Sequence, residues 1–291
     1  MEAVAEQLAP SRRHIVEEVC RNFSRWAPQL QCPPIPGEML QGGYNHHVQL
    51  IEGSTQRWVL RIDKRSRDNA QRELELAIQT QAAAHNIAPR IDYGDPKSGV
   101  TVMEWIDGQQ DTQNRPAALA QLLRNIHVLR PRGKPVESID VLQDYRTAIA
   151  PQSPLAELVS AENPRIDKAM NDIVMDGNVD RVLCHNDLLC ANRLQGKSHL
   201  YALDWEYAAP GDPLFDLAVC ASELRQTAAT QLLALYLQRR PTQAEERRFS
   251  AQCLIYACIE ACWFSIYHAN SDQTGRSHKN LERMLLRGAS R

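Results

Sequence analysis

The stretch from Val182 to Tyr207 constrains the fold of this chain more than any other. It reads Val182-Leu183-Cys184-His185-Asn186-Asp187-Leu188-Leu189-Cys190-Ala191-Asn192-Arg193-Leu194 and, further on, Tyr201-Ala202-Leu203-Asp204-Trp205-Glu206-Tyr207. Short apolar runs flank the polar residues, which predicts one compact strand pair, Val182 to Cys184 with Leu200 to Leu203. The acid at 187, the amide at 192 and the acid at 204 each stand where the chain leaves or enters a short apolar strand. The intervening hairpin brings them together. One carboxylate to accept a hydroxyl proton, beside an amide oxygen and a second carboxylate able to hold Mg²⁺ on nucleotide phosphates, is a layout that suits phosphoryl transfer.

The rest of the chain must support such a site. Its 291 residues predict two domains or one two-lobed unit, and 43% apolar with 23% charged residues allows a sizeable core. Lys plus Arg total 33 against 35 for Asp plus Glu, a net charge of -2, so the basic excess needed to bind a phosphate backbone is missing. Nucleic acid is not the expected partner. Met1 to His14 mixes charged and apolar residues without a continuous apolar stretch, and the longest apolar-rich run, Leu254 to Phe264, contains Glu260 and is too short to span a bilayer. The expectation is a cytoplasmic protein without membrane insertion. The eight cysteines include no C-x-x-C, and Cys253, Cys258 and Cys262 fall along a helical pattern as reduced core residues.

Residues 1 to 31 predict a helical lead-in, with Ile15, Val16, Val19, Phe23 and Trp26 at helical spacing, ended by Cys32-Pro33-Pro34-Ile35-Pro36. A small antiparallel meander follows: Glu38 to Leu40, a Gly42-Gly43 turn, His47 to Ile51, then Arg57 to Ile62. Asn69 to His85 is rich in helix formers, and two short strands, Pro89 to Tyr93 and Gly99 to Glu104, complete this part. From Arg115 onward helices dominate, with a proline- and turn-rich stretch from Pro131 to Asn163 and helices around Gln231 to Gln238 and Glu245 to Ala269. The fold class expected is α+β in two lobes, 1–104 and 105–291. Gly196-Lys197-Ser198 mimics the end of a Walker A motif, but position 191 is Ala where a glycine is required, and the context is strand, turn, strand. It reads as a hairpin turn.

The Cys184-to-Leu189 run with Asn192, and Asp204-Trp205-Glu206-Tyr207 with Phe215-Asp216-Leu217-Ala218, resemble the catalytic and metal loops of the choline and ethanolamine kinase family. That family lies within the protein-kinase-like fold, which also holds thiamine kinases and aminoglycoside phosphotransferases. The resemblance implies an ATP- and Mg²⁺-dependent small-molecule kinase with Asp187 as catalytic base and Asn192 and Asp204 as Mg²⁺ ligands. Glu206 becomes a further metal or hydroxyl contact, and His185 a brace for the loop. In the first lobe it assigns Gly42-Gly43-Tyr44-Asn45 to a phosphate-covering turn, Arg61 to the nucleotide phosphates, and Glu75 to the carboxylate that pairs with Arg61. Helix phase alone leaves Glu73 open as the alternative partner. Met103 to Gly108 resembles the hinge where an adenine ring would bond to backbone groups.

Only 11 residues separate Asp204 from Asp216, too few for the activation segment with which protein kinases dock a polypeptide. The expected acceptor is therefore a small molecule. Glu260, Trp263, Phe264 and Tyr267 share the spacing of one helical face, and aromatic rings with a carboxylate suit a cationic amine such as choline, ethanolamine or thiamine. The same stripe is equally what a core-facing helix shows. An aminoglycoside or a sugar remains an alternative acceptor, and a catalytically silent nucleotide or amine sensor an alternative role.

Overall fold

The computed structural model describes residues 10–40, 45–64, 67–160, 163–175, 180–269 and 271–287. The chain divides into two compact units, Met1–Gln109 and Gln110–Arg291.

In the first unit, the apolar spacing of the lead-in produces α1 (Pro10–Arg21), whose Val16 and Cys20 are buried against the sheet. The sheet is wholly antiparallel. Its strands are β1 (Ile35–Met39), β2 (His46–Glu52), β3 (Arg57–Asp63), β4 (Ile91–Asp95) and β5 (Val100–Glu104), in the order β1-β2-β3-β5-β4. Pro36 sits in β1, an edge strand, the one place where a residue without a backbone N–H costs the ladder nothing. Trp58 is fully buried. Its indole donates to Asp92 at 2.9 Å and its ring meets the edge of Trp26 at 5.1 Å, so one side chain joins lead-in, central strand and β4. Between β3 and β4 runs α2 (Asn69–Ala84), started by the Asp68 side chain and burying Glu75, Ile78, Gln79 and Ala82. The Gly42-Gly43-Tyr44 part of the expected turn lies outside the described residues.

A two-residue strand, β6 (Gln109–Gln110), marks the division between the units. The second unit continues with α3 (Pro116–His127), α4 (Ser138–Ala148), α5 (Pro154–Leu158) and α6 (Pro164–Val174). The proline-rich stretch thus holds α4 and α5; α5, like α3 and α6 on either side, starts with proline at a first-turn position, where its missing N–H has no partner to lose. Then come β7 (Val182–Cys184), β8 (Arg193–Gln195), β9 (Leu200–Ala202) and β10 (Ala209–Gly211). The expected pairing of Val182–Cys184 with Leu200–Leu203 is corrected here: β7 pairs with β10, and β9 pairs with β8. β8 and β9 flank a tight turn in which the Gly196 N–H donates to the His199 carbonyl at 3.0 Å. A Cβ on Gly196 would lie 2.8 Å from the Tyr201 ring, so that turn demands glycine.

Four helices complete the unit: α7 (Pro213–Ser222), α8 (Gln226–Leu237), α9 (Gln243–Tyr267) and α10 (Asp272–Arg287). A Thr242–Glu245 capping box starts α9, with Arg239 gripping both Glu245 oxygens at 2.6 and 2.9 Å. By length and composition this 25-residue helix could cross a membrane, which the shorter apolar run read from sequence did not suggest. It instead packs against α4, α6, α7 and α10 with Ile255, Cys258 and Cys262 in the core. Helix α9 is the spine of the second unit. All eight cysteines are free thiols.

Candidate active site

The polar loop takes its shape from two backbone conformations that most side chains avoid. Asn186 and Asp204 have φ of +65° and +63°, the left-handed region that Asn and Asp tolerate better than most residues. Strained residues of this kind collect where surrounding bonds hold them for a purpose. Here the bonds are explicit. The backbone N–H groups of His185 and Asn186 donate to the two oxygens of Asp216 at 2.7 and 2.6 Å, and the Asn186 amide donates to the Tyr207 carbonyl at 2.9 Å. His185, fully buried and 4.8 Å from the Trp205 ring, makes a 3.0 Å hydrogen bond from Nε2 to the Leu203 carbonyl. Burial lowers its pKa, so a neutral ring donates that bond. His185 and Asn186 are in this way tied to the chain on both sides of residue 204.

Asp187 and Asn192 meet directly. Asn192, on the short 3₁₀ turn Cys190–Asn192, donates from Nδ2 to the Asp187 backbone oxygen at 2.8 Å and to Asp187 Oδ2 at 2.7 Å. Its backbone oxygen accepts from Leu203 at 2.9 Å, which sets Asp204 beside it. Burial first, then the charges of Asp204 and Glu206, push the Asp187 carboxyl well above the usual carboxylate range, against the opposing hydrogen bond from Asn192.

At the far end of α9, Trp263 meets Phe264 edge-on and Tyr267 and His268 at a tilt, at 4.9, 5.7 and 4.9 Å, and Tyr267 is exposed. Glu260 is largely buried, and that burial, aided by Glu223, raises its pKa to about 7. Tyr256 is raised by burial and then by Glu260, Asp187 and Glu223, so these four groups share one acidic neighbourhood. In the first unit, Arg61 forms a buried ion pair with Glu75, which also accepts from Arg67 at 2.7 Å. Glu75 rather than Glu73 is therefore the partner. Asn45 lies at the open end of the β2–β3 ladder, whose register pairs His46 with Asp63 and Val48 with Arg61.

A family model described as a phosphotransferase enzyme family matches residues 38–249, most of the chain. The chain belongs to the phosphotransferase enzyme family. Among curated proteins, LicA of Haemophilus influenzae is 29% identical over 69% of this chain, and the match spans 62% of LicA's own length. Among solved structures, a choline/ethanolamine kinase family protein from Mesorhizobium loti superposes with a TM-score of 0.69 at 20% identity, covering 93% of both chains. The GDP complex of aminoglycoside 2'-phosphotransferase-IIIa gives 0.68 at 15% identity over 95% of this chain and 99% of its own. At these identities the structures speak for the fold, and the α+β, protein-kinase-like expectation holds.

The phosphotransferase site also contains residues that motif reading passed over. Asp216 was visible only as a letter of a following helix, yet it is fully buried, and beyond its two backbone donors it accepts from His127 Nε2 at 3.0 Å, whose Nδ1 meets the Tyr236 hydroxyl at 2.8 Å. His127, Cys184 and Asp216 would pass for a metal cluster, with ligand atoms within 4.8 Å of one another. Both Asp216 oxygens are already committed to N–H donors, so the cluster is structural. A charged residue inside the apolar run Leu214 to Val219 was the available signal for Asp216.

Proposed function

We propose that this phosphotransferase is a kinase that moves the terminal phosphoryl of ATP onto the hydroxyl of a small cationic amino-alcohol, choline or ethanolamine foremost, in the cytoplasm and with Mg²⁺. The observation that carries the reading is the Asp187–Asn192 hydrogen bond set within the field of Asp204 and Glu206. An all-oxygen donor set suits Mg²⁺, which takes hard ligands and keeps several waters. With the Asn192 NH₂ spent on Asp187, its Oδ1 is left for the ion, and Asp204 supplies the carboxylate. When bound, Mg²⁺ would neutralise charge on the nucleotide phosphates.

The chain's own residues do the remainder. Asn192 occupies Asp187 Oδ2, leaving Oδ1 to orient the acceptor hydroxyl and receive its proton as the phosphoryl leaves. Arg61, braced by Glu75, offers a guanidinium for phosphate oxygens, with Asn45 contributing from the adjoining turn. Glu206 and Glu260 supply negative charge for an ammonium group, and Trp263 and Tyr267 supply π-faces worth about 0.5–2 kcal/mol each. Free thiols fit a reducing compartment.

The test is a screen of choline, ethanolamine, thiamine and aminoglycosides with ATP and Mg²⁺, repeated on variants. Asp187→Ala is expected to lose turnover, by at least about a thousandfold, while nucleotide affinity stays near wild type. Asn192→Ala and Asp204→Ala are expected to weaken Mg·ATP binding instead. Wild-type turnover in Asp187→Ala would refute the assigned base, and a panel without any phosphorylated acceptor would leave only the sensor.

A further inference from the structure

Arg193 directly follows the amide ligand and, at 1% exposure, is among the largest fully buried side chains described. Its guanidinium donates to the Leu188 carbonyl at 3.1 Å, to Glu223 Oε2 at 3.0 Å and to Asn114 Oδ1, and its Nε lies 3.4 Å from Asp111. Glu223 Oε2 in turn accepts from the Cys190 backbone N–H at 2.8 Å, and the Asp111 N–H donates to the Arg193 carbonyl at 3.1 Å. One planar fork therefore grips the loop just after Asp187, the turn that carries Asn192, and the chain segment 111–114. Burying a cation with acids is no gain in stability over an apolar side chain of similar size, so what the arrangement supplies is geometry.

We propose that Arg193 is a positioning residue that sets the separation of Asp187 and Asn192, and hence the fit of the Mg²⁺ site, by tying Leu188 and Asn114 directly, and Cys190 through Glu223, to one guanidinium. The proposal rests on the phosphotransferase reading above. A displacement of about 1 Å between reacting groups is enough to cost two orders of magnitude in rate. A partner behind a metal ligand is typically worth about 10- to 100-fold in metal affinity.

Arg193→Lys keeps the charge but replaces the fork with a single ammonium that cannot serve three acceptors at this spacing. Calorimetric titration with Mg·ATP is expected to show affinity about tenfold weaker, while Mg-free ATP binds within about twofold of wild type. Backbone amide exchange over 188–192 should quicken by about tenfold, with α9 unchanged. Exchange and Mg·ATP affinity both at wild-type values, or faster exchange with unchanged affinity, would reduce Arg193 to a structural ion pair and overturn the proposal. If the lysine variant does not fold, Asn114→Gly decides. It deletes one acceptor and keeps the left-handed backbone there (φ +49°), and the same two readouts should move in the same direction by about threefold. No change in that variant is the overturning result. Failure of the functional reading looks different: the wild type phosphorylates no acceptor, yet Mg·ATP affinity still falls on substitution. A wild type that binds no Mg·nucleotide overturns both.

Discussion

Replacing Asp216 by asparagine tests whether one buried carboxylate holds the catalytic loop. The side chain is fully buried and accepts three hydrogen bonds, two at Oδ2 (His185 N–H and His127 Nε2) and one at Oδ1 (Asn186 N–H). An asparagine oriented to keep the first two turns its NH₂ group toward the Asn186 N–H, donor against donor. The charge-assisted bond lost there is worth about 1.5–3 kcal/mol, and the stranded backbone donor adds about 1 more, while the two surviving bonds weaken without the charge. A loss of about 3 kcal/mol is expected, more than a hundredfold in the unfolding equilibrium and a sizeable part of an ordinary domain's stability. Urea titration of the second unit's unfolding, with amide exchange at His185 and Asn186, measures it. Asn186 holds φ +65° only while its N–H is pinned, so turnover should fall together with protection at that amide. A change below about 1 kcal/mol, or full activity with both amides unprotected, would refute the reasoning.

Glu260 should make stability depend on pH. Its folded pKa of about 7 stands above the ordinary 4.5, so stability is complete below pH 4.5 and declines as pH rises through 7, by up to about 3 kcal/mol. Glu260→Gln should flatten that decline, and urea midpoints falling equally from pH 5 to pH 8 in both proteins would contradict it. Glu75→Gln leaves Arg61 and Arg67 against a neutral amide in a buried site and should cost about 3 kcal/mol in the first unit, with weaker ATP binding. Calorimetry and urea unfolding read both, and wild-type values in each would count against the pair.

Much of the second unit's chemistry was legible because it is local in sequence. Asp187 and Asn192 are five residues apart, on one loop, and their hydrogen bond needs nothing beyond a single tight turn. The strand pairing around them was misread for a related reason. Apolar runs of three residues carry no register, and β7 takes as its partner Ala209–Gly211, a stretch with Pro and Gly and no strand signature of its own. Of the two helices inside 131–163, α5 was hidden by Pro154, which marks a first turn rather than a break. Glu75 could be preferred over Glu73 only on resemblance, because both stand on the same helix and the choice turns on its rotation against β3.

By itself the amino-acid sequence determined the α+β class and most of the longer helices and first-unit strands, since these follow from periodicity, capping and short-range spacing. Only the tertiary structure decided which charges are buried and what they hold. Asp216 and Arg193 meet donors and acceptors about 30 to 90 positions away along the chain, among them His127, Asn114 and Glu223. Burial strengthens such bonds by removing competing water, and no local pattern along a chain records which distant groups will share a dry interior.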